Sequence, residues 1–210
     1  MPFEEIEQLY ENRGSITGLP TGFVELDRMT SGLHPAEMIV IAARPSMGKT
    51  AFAMNVAEHV ALHAGKAVAI FSLEMSSQQL VQRLLCSRAK VNLQKVRNGF
   101  LSDRDFPSLT AAAGKLAESS FLIDDTAGLP PLKGSSRRSQ DNRQLEISEI
   151  SAGIKALAKE LNIPIIVIAQ LNRQPELRGN GKPRLSDLRE SGSIEQDADI
   201  VGLLVRAPVL

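Results

Sequence analysis

The sequence contains a single cysteine, Cys86, among its 210 residues. An internal disulfide is therefore excluded, and one thiol fits a reducing compartment, where lone cysteines are mostly small buried apolar groups. Neither charge sign is in excess, with 24 Lys and Arg set against 24 Asp and Glu. No global field draws the chain to a polyanion or a membrane, so a nucleic-acid site has to be a local basic patch. Long apolar runs are also missing: Ile163 to Ala169 is among the longest and is far too short to span a bilayer. The opening Met1-Pro2-Phe3-Glu4-Glu5 lacks the basic-then-apolar order of a secretion signal. These absences predict a soluble, cytoplasmic protein with no membrane partner. There is no internal repeat, and the length suits one core and one domain.

What is present alternates. Met38 to Ala43 is an apolar run of strand length, after which Phe52, Met54, Val56 and Val60 recur at helical spacing up to Gly65. Ala67 to Leu73 reads as a second strand and Ser76 to Ala89 as a helix with Leu80, Leu84 and Leu85 inward. Smaller helices follow between Asn92 and Ala117, then strands at Ser120 to Asp124, Pro164 to Ala169 and Asp199 to Val205. Short, uniformly apolar strands alternating with helices predict an α/β fold: a mostly parallel twisted sheet with helices on both faces. Ligands of such sheets sit at the carboxyl ends of the strands. Ahead of the sheet, Phe3, Ile6, Leu9 and Tyr10 predict a short amphipathic helix, and Phe23 to Met29 a second. The stretch 134–143 is almost devoid of apolar residues and reads as a mobile loop carrying Arg137, Arg138 and Arg143. The helix behind it sets Ile147, Ile150, Ile154, Leu157 and Leu161 on one face and ends at Asn162 and Pro164.

Between the first strand and its helix lies Ala43-Arg44-Pro45-Ser46-Met47-Gly48-Lys49-Thr50. A strand, a tight loop and a helix N-terminus leave several amide N–H groups pointing one way, which phosphate satisfies. Gly48 lets the backbone approach phosphate oxygens, Lys49 supplies a mobile charge to the β and γ groups, and the Thr50 hydroxyl suits Mg²⁺. Ala43 stands where the pattern usually has its first glycine.

A P-loop does not by itself separate kinases, GTPases and motor ATPases, so the other strand ends decide. Glu74 follows the second strand, where a carboxylate either activates water or caps the next helix. Gln170 follows the strand 164–169, as a γ-phosphate sensor or as an ordinary surface amide. Between Asn172 and Arg189, the basic Arg173, Arg178, Lys182, Arg184 and Arg189 outnumber Glu176 and Asp187, with no aromatic. That composition fits phosphate-backbone contacts or a solvated loop. His59 and His63 have metal-ligand spacing but no third ligand, and Ser72, Ser76 and Ser77 lack a nucleophile-elbow context.

Five segments together resemble a known family: 42–50, Ser72-Leu73-Glu74-Met75, Gln140-Asp141-Asn142-Arg143, Gln170-Leu171-Asn172-Arg173 and the run from Asp187 to Asp199. They resemble the C-terminal, RecA-like motor domain of DnaB-type replicative helicases, from about Thr17 to Val205. The resemblance implies a RecA-like ATPase domain over 17–210 preceded by a linker helix within 1–16 that docks on a neighbouring subunit of a hexameric ring. It implies ATP and Mg²⁺ held by Arg44 to Thr50, water activated by Glu74, and Gln170 sensing the γ-phosphate. Single-stranded DNA would follow Arg189, Glu190 and Gly192, with Arg173 and Arg143 as further basic contacts, and primase and a helicase loader are implied as partners.

Two departures from the family stand out. After the strand ending at Asp124, the family continues into a helix and a further strand that ends in the Mg²⁺-associated aspartate of the Walker B element. Here 125–133 runs almost directly into the polar stretch, so a helix and a core strand beside the P-loop strand are expected to be absent, with Asp124 and Asp125 the available stand-ins or simply caps. The chain also stops at Leu210, before the family's final strands and the basic element that acts in trans, which predicts slower hydrolysis. Three functions are thereby ordered: an ATP-driven helicase motor, a truncated or degenerate nucleotide-binding relative, and a small-molecule P-loop kinase.

Overall fold

The computed structural model describes Tyr10 and residues 16–126, 139–178, 182–188 and 192–206. The expected helix over Phe3 to Glu11 lies outside these apart from Tyr10, which is helical and exposed. In chain order the elements are α1 (Val24–Thr30), β1 (Met38–Ala43), α2 (Lys49–Leu62), β2 (Val68–Phe71), α3 (Ser77–Ala89), α4 (Leu93–Arg97), α5 (Asp105–Ala117), β3 (Phe121–Asp124), α6 (Ser139–Leu161), β4 (Ile165–Gln170), α7 (Gly192–Asp197) and β5 (Ile200–Leu204). Short 3-10 turns occupy Gln174–Leu177 and Leu185–Asp187. The chain divides into two compact units, one of 1–18, 30–53 and 130–210, the other of 19–29 and 54–129.

In the first unit β1 runs parallel to β4 on one side and β5 on the other. All six residues of β1 are buried, as a strand covered on both faces requires. Met38, Val40 and Ala42 form one core with Leu171 and Leu188, packed by Ile154 of α6, Ile194 of α7 and residues of β4 and β5. Both edges of β1 are filled, so the strand expected to be absent would not have been a neighbour of β1; among the described residues no strand lies between β3 and α6. Asp199 ties the sheet's start together: it accepts the Met38 N–H and the Lys155 ammonium, and Lys155 also donates to the Ala36 carbonyl.

Helix α6 differs from expectation twice. It begins at Ser139, so Arg143 lies on helical backbone rather than in a mobile loop. Adding residues to an existing helix fixes one residue per hydrogen bond, so a polar segment of Gln, Arg and Glu is helical ahead of the apolar pattern. Its buried side is also rotated from the expected stripe. Among the described side chains of the helix Ser151 and Ala158 are the buried ones, whereas Ile150, Leu157 and Leu161 are exposed. Close approach of a helix to a sheet selects small side chains, and that sets the phase of the helix over its apolar count. The helix stops at Asn162, whose φ of 53° is left-handed, with the Ile163 N–H returning to Ala158.

In the second unit β2 and β3 pair in parallel, Val68 opposite Phe121 through Phe71 opposite Asp124. One face of this ribbon, Ile70, Phe121 and Ile123, packs on Met54, Leu80, Leu84 and Leu116. The other exposes Phe71 and Leu122. Helix α3 is set by Ser76, which accepts the Gln79 N–H while the Gln79 side chain accepts the Ser76 N–H. Ahead of α1, the buried Asp27 accepts both the N–H and the hydroxyl of Thr21, at 2.8 and 2.7 Å. Gly22, at φ 85°, is required there, because a Cβ would come within 2.7 Å of the His59 ring.

Candidate nucleotide site

Residues 44–48 leave the buried end of β1 and enter α2 at Lys49. Ser46 and Gly48 both have positive φ, 64° and 94°, Met47 between them does not, and the helix begins at Lys49. That alternation curls the amides into a concave nest. The Met47 N–H returns to the Arg44 carbonyl at 3.3 Å, and the Phe52 N–H to Gly48 at 2.9 Å. Among the described residues no acceptor is paired with the N–H groups of Gly48, Lys49 or Thr50, or with the Lys49 ammonium. Pro45 to Gly48 are exposed, and Lys49 and Thr50 are half-buried at the rim. Unpaired amides at the start of a 14-residue helix, with a lysine and a threonine beside them, fit a phosphate chain with its Mg²⁺.

The strand register brings Gln170 to this loop, because it pairs with Ala43, the residue before Arg44. Arg173, two residues past Leu171, is exposed. Gly192 opens α7, and Arg189 and Glu190 lie outside the described residues. Glu74 belongs to the other unit, in the bend after β2, and is exposed. It is not the cap of α3, a role that Ser76 fills. Nor are the stand-in carboxylates free. Asp124 accepts the Thr126 N–H at 2.9 Å, and Asp125 accepts the Ser77 N–H at 2.7 Å, satisfying the first turn of α3. Hydrogen bonding from the Thr126 side chain and then its N–H holds the Asp124 carboxyl below the usual carboxylate range, and the Ser77 N–H and then its side chain do the same for Asp125.

Sequence reasoning missed where several charges go. Within 172–188, Arg178 is not available to a polyanion: both of its terminal nitrogens reach Asp187, at 2.7 Å each, and Asp187 is fully buried. Asp187 also accepts the Arg184 N–H at 2.7 Å. The Arg178 hydrogen bonds keep its carboxyl below the ordinary range against the opposing effect of burial. Arg44 likewise spends its side chain on Glu176 and on the Leu171 carbonyl. A count of charges along the chain gives no sign of either pairing.

The model of the DnaB-like helicase C-terminal domain matches residues 18–140 and 129–210. The chain belongs to that family. The DnaB-like assignment is borne out by curated relatives: the chain is 47% identical to the replicative DNA helicase DnaC of Bacillus subtilis (strain 168), over 97% of this chain and 50% of the relative. It is 48% identical to the replicative DNA helicase DnaB of Geobacillus stearothermophilus over the same shares. The chain thus spans about half the length of these relatives. A solved ATPase domain superposes with a TM-score of 0.88 at 37% identity, covering 98% of this chain and 82% of that one. A DnaB-like replicative helicase whose structure addresses its interactions with primase superposes at 0.87 and 37% identity, over 98% and 55%. The fold is therefore RecA-like, as the motifs predicted. The DnaC alignment runs over 230 positions against 210 residues here, so that relative carries at least 20 residues without a counterpart. The two stretches matched by the family model overlap at 129–140, where a helix and a strand were expected to be absent.

Proposed function

We propose that residues 17–210 are the ATP-driven motor domain of a replicative DNA helicase, with 1–16 as a linker to a neighbouring subunit of a hexameric ring in the bacterial cytoplasm. The observation that carries the reading is the nest at Ser46 to Gly48 leading into Lys49 and Thr50, in a chain of the DnaB-like family. Family membership along 18–210 favours this over a degenerate binding module, and it leaves the small-molecule kinase without support.

In this reading the amides of 46–50 and Lys49 hold the phosphates of ATP, and Thr50 holds Mg²⁺, which supplies charge neutralisation at the phosphates. Glu74 accepts the proton of the attacking water, and Gln170 reports the γ-phosphate. Single-stranded DNA runs along Arg189, Glu190 and Gly192, with Arg173 and Arg143 contributing phosphate contacts. Binding through such contacts is independent of sequence and weakens steeply with salt. Primase is a fitting partner, given the related helicase solved for its primase interactions, and a loader is expected with it.

The test is ATP hydrolysis with and without single-stranded DNA for the chain, Lys49→Ala and Glu74→Ala. DNA-stimulated turnover that both substitutions abolish is the expected result. Turnover that is indifferent to Lys49, or phosphoryl transfer to a small molecule instead of water, would overturn the reading.

A further inference from the structure

Arg44 lies inside the phosphate-binding sequence, yet its guanidinium is committed to another part of the same compact unit. Nε and Nη2 reach one carboxylate oxygen of Glu176 at 2.7 and 2.6 Å, and Nη1 donates to the Leu171 carbonyl at 2.9 Å. The arginine side chain is only 15% exposed. Leu171 directly follows β4, and Glu176 sits in the 3-10 turn 174–177. Two residues beyond Glu176, Arg178 grips Asp187 with both terminal nitrogens. The Asp187 carbonyl receives the Asn172 N–H at 2.8 Å, and Leu171 bridges to Leu188. These contacts form an unbroken series from the P-loop backbone to Leu188, one residue before Arg189.

We propose that Arg44 is a positioning residue, a strut through which the state of the phosphate-binding loop is felt at 171–178 and 182–188, the stem of the basic loop. The proposal rests on the nucleotide reading above and adds a route from that site toward the DNA segment. An ordinary exposed ion pair carries little. This one is different in kind, because a rigid planar fork serves a carboxylate and a backbone carbonyl together from a mostly buried position. The Arg44 carbonyl also accepts the Met47 N–H. Any rearrangement of the 46–49 amides around phosphate therefore acts on the residue that holds the stem, and displacement by a fraction of an ångström misaligns three donors at once.

Amide hydrogen exchange of 171–188 with and without a non-hydrolysable ATP analogue and Mg²⁺ tests this in the whole chain, Glu176→Ala, Arg44→Lys and the double variant. Glu176 is 57% exposed, so its truncation removes the contact without opening a core. In the unaltered chain the analogue should slow exchange of the stem by about fivefold or more, the lower end of ordinary coupling between sites. In Glu176→Ala the analogue should bind as before while the stem response falls below about twofold. The double variant should lose no more than the single ones, because all three break the same contact. Retained exchange protection in β1 checks that each variant is folded. An unchanged response in both single variants, or no response in an unaltered chain that binds the analogue, overturns the strut. Failure of the unaltered chain to bind the analogue at all sinks the motor reading instead, and the strut with it.

Discussion

Replacing Asp187 by Asn should release the stem of the basic loop while leaving the sheet intact. The buried carboxylate accepts Arg178 Nη1 and the Arg184 N–H on one oxygen and Arg178 Nη2 on the other, all at 2.7 Å. An amide of the same shape turns one of those oxygens into an NH₂ group. Either orientation then sets donor against donor, and it leaves Arg178, whose side chain is only 23% exposed, without its counter-charge. Breaking one partner of a buried pair costs about 3–5 kcal/mol. The whole molecule does not have to bear that cost, because the stem can open locally at a lower free energy than global unfolding. The assay is residue-resolved amide exchange, read at Asn172, whose N–H meets the Asp187 carbonyl, and at Leu188, whose N–H meets Leu185. At 1.4 kcal/mol per decade, exchange at both should accelerate by about 100-fold or more, while Ile41 and Ala42 in β1 keep their protection. An acceleration below about threefold at Asn172 would refute the claim that this pair closes the loop. Acid should do the same to the unaltered chain. The folded Asp187 pKa lies below its unfolded value, so its stabilising contribution is complete above about pH 4 and is lost as pH falls through the folded value.

Four further outcomes follow from the geometry. Lys155→Met removes the ammonium that holds the Asp199 carboxyl low against burial, so acid unfolding followed by circular dichroism should begin at a higher pH than in the unaltered chain. Ser76→Ala deletes the capping box of α3 and should cost about 1 kcal/mol, visible as a lower thermal midpoint; an unchanged midpoint would mean that Asp125 alone suffices to cap the helix. Gly22→Ala combines a positive φ with a clash against the His59 ring, so its unfolding free energy, read from a urea titration, should fall by more than the roughly 1 kcal/mol typical of strain alone. Gly48→Ala meets no neighbouring atom within 4 Å but keeps the strained φ, so it should weaken ATP binding in calorimetry while stability falls by about the 1 kcal/mol of strain alone; full ATP affinity would count against the nest.

Much of the fold can be read from residue order, and the misses share a cause. Strand β1 was bounded to the residue because Met38 to Ala43 is apolar throughout and buried on both faces. Asn162 and Pro164 marked the end of α6 through backbone chemistry that is local to them. The start of α6 was not legible, because helix propagation carries it through a polar stretch with no apolar period. Its buried side was not legible either: period is a property of the sequence, but phase is decided by how near Ser151 and Ala158 can bring the helix to the sheet. The candidate P-loop was legible because its pattern is concentrated in eight consecutive residues. Arg44 and Glu176 are 132 positions apart, and Arg178 and Asp187 counted as one cation and one anion among several. Pairing of that sort depends on the return path of the chain, which composition does not contain.

The ribbon of β2 and β3 has a practical consequence. Only two strands pair in it among the described residues, and one side presents Phe71 at 60% and Leu122 at 63% exposure. Two-stranded ribbons are marginal in water, and bare strand edges beside apolar side chains template association between molecules. The purified chain should therefore light up a hydrophobic dye while still folded, and its colloidal shelf life, rather than its thermal midpoint, will limit how concentrated a sample can be kept.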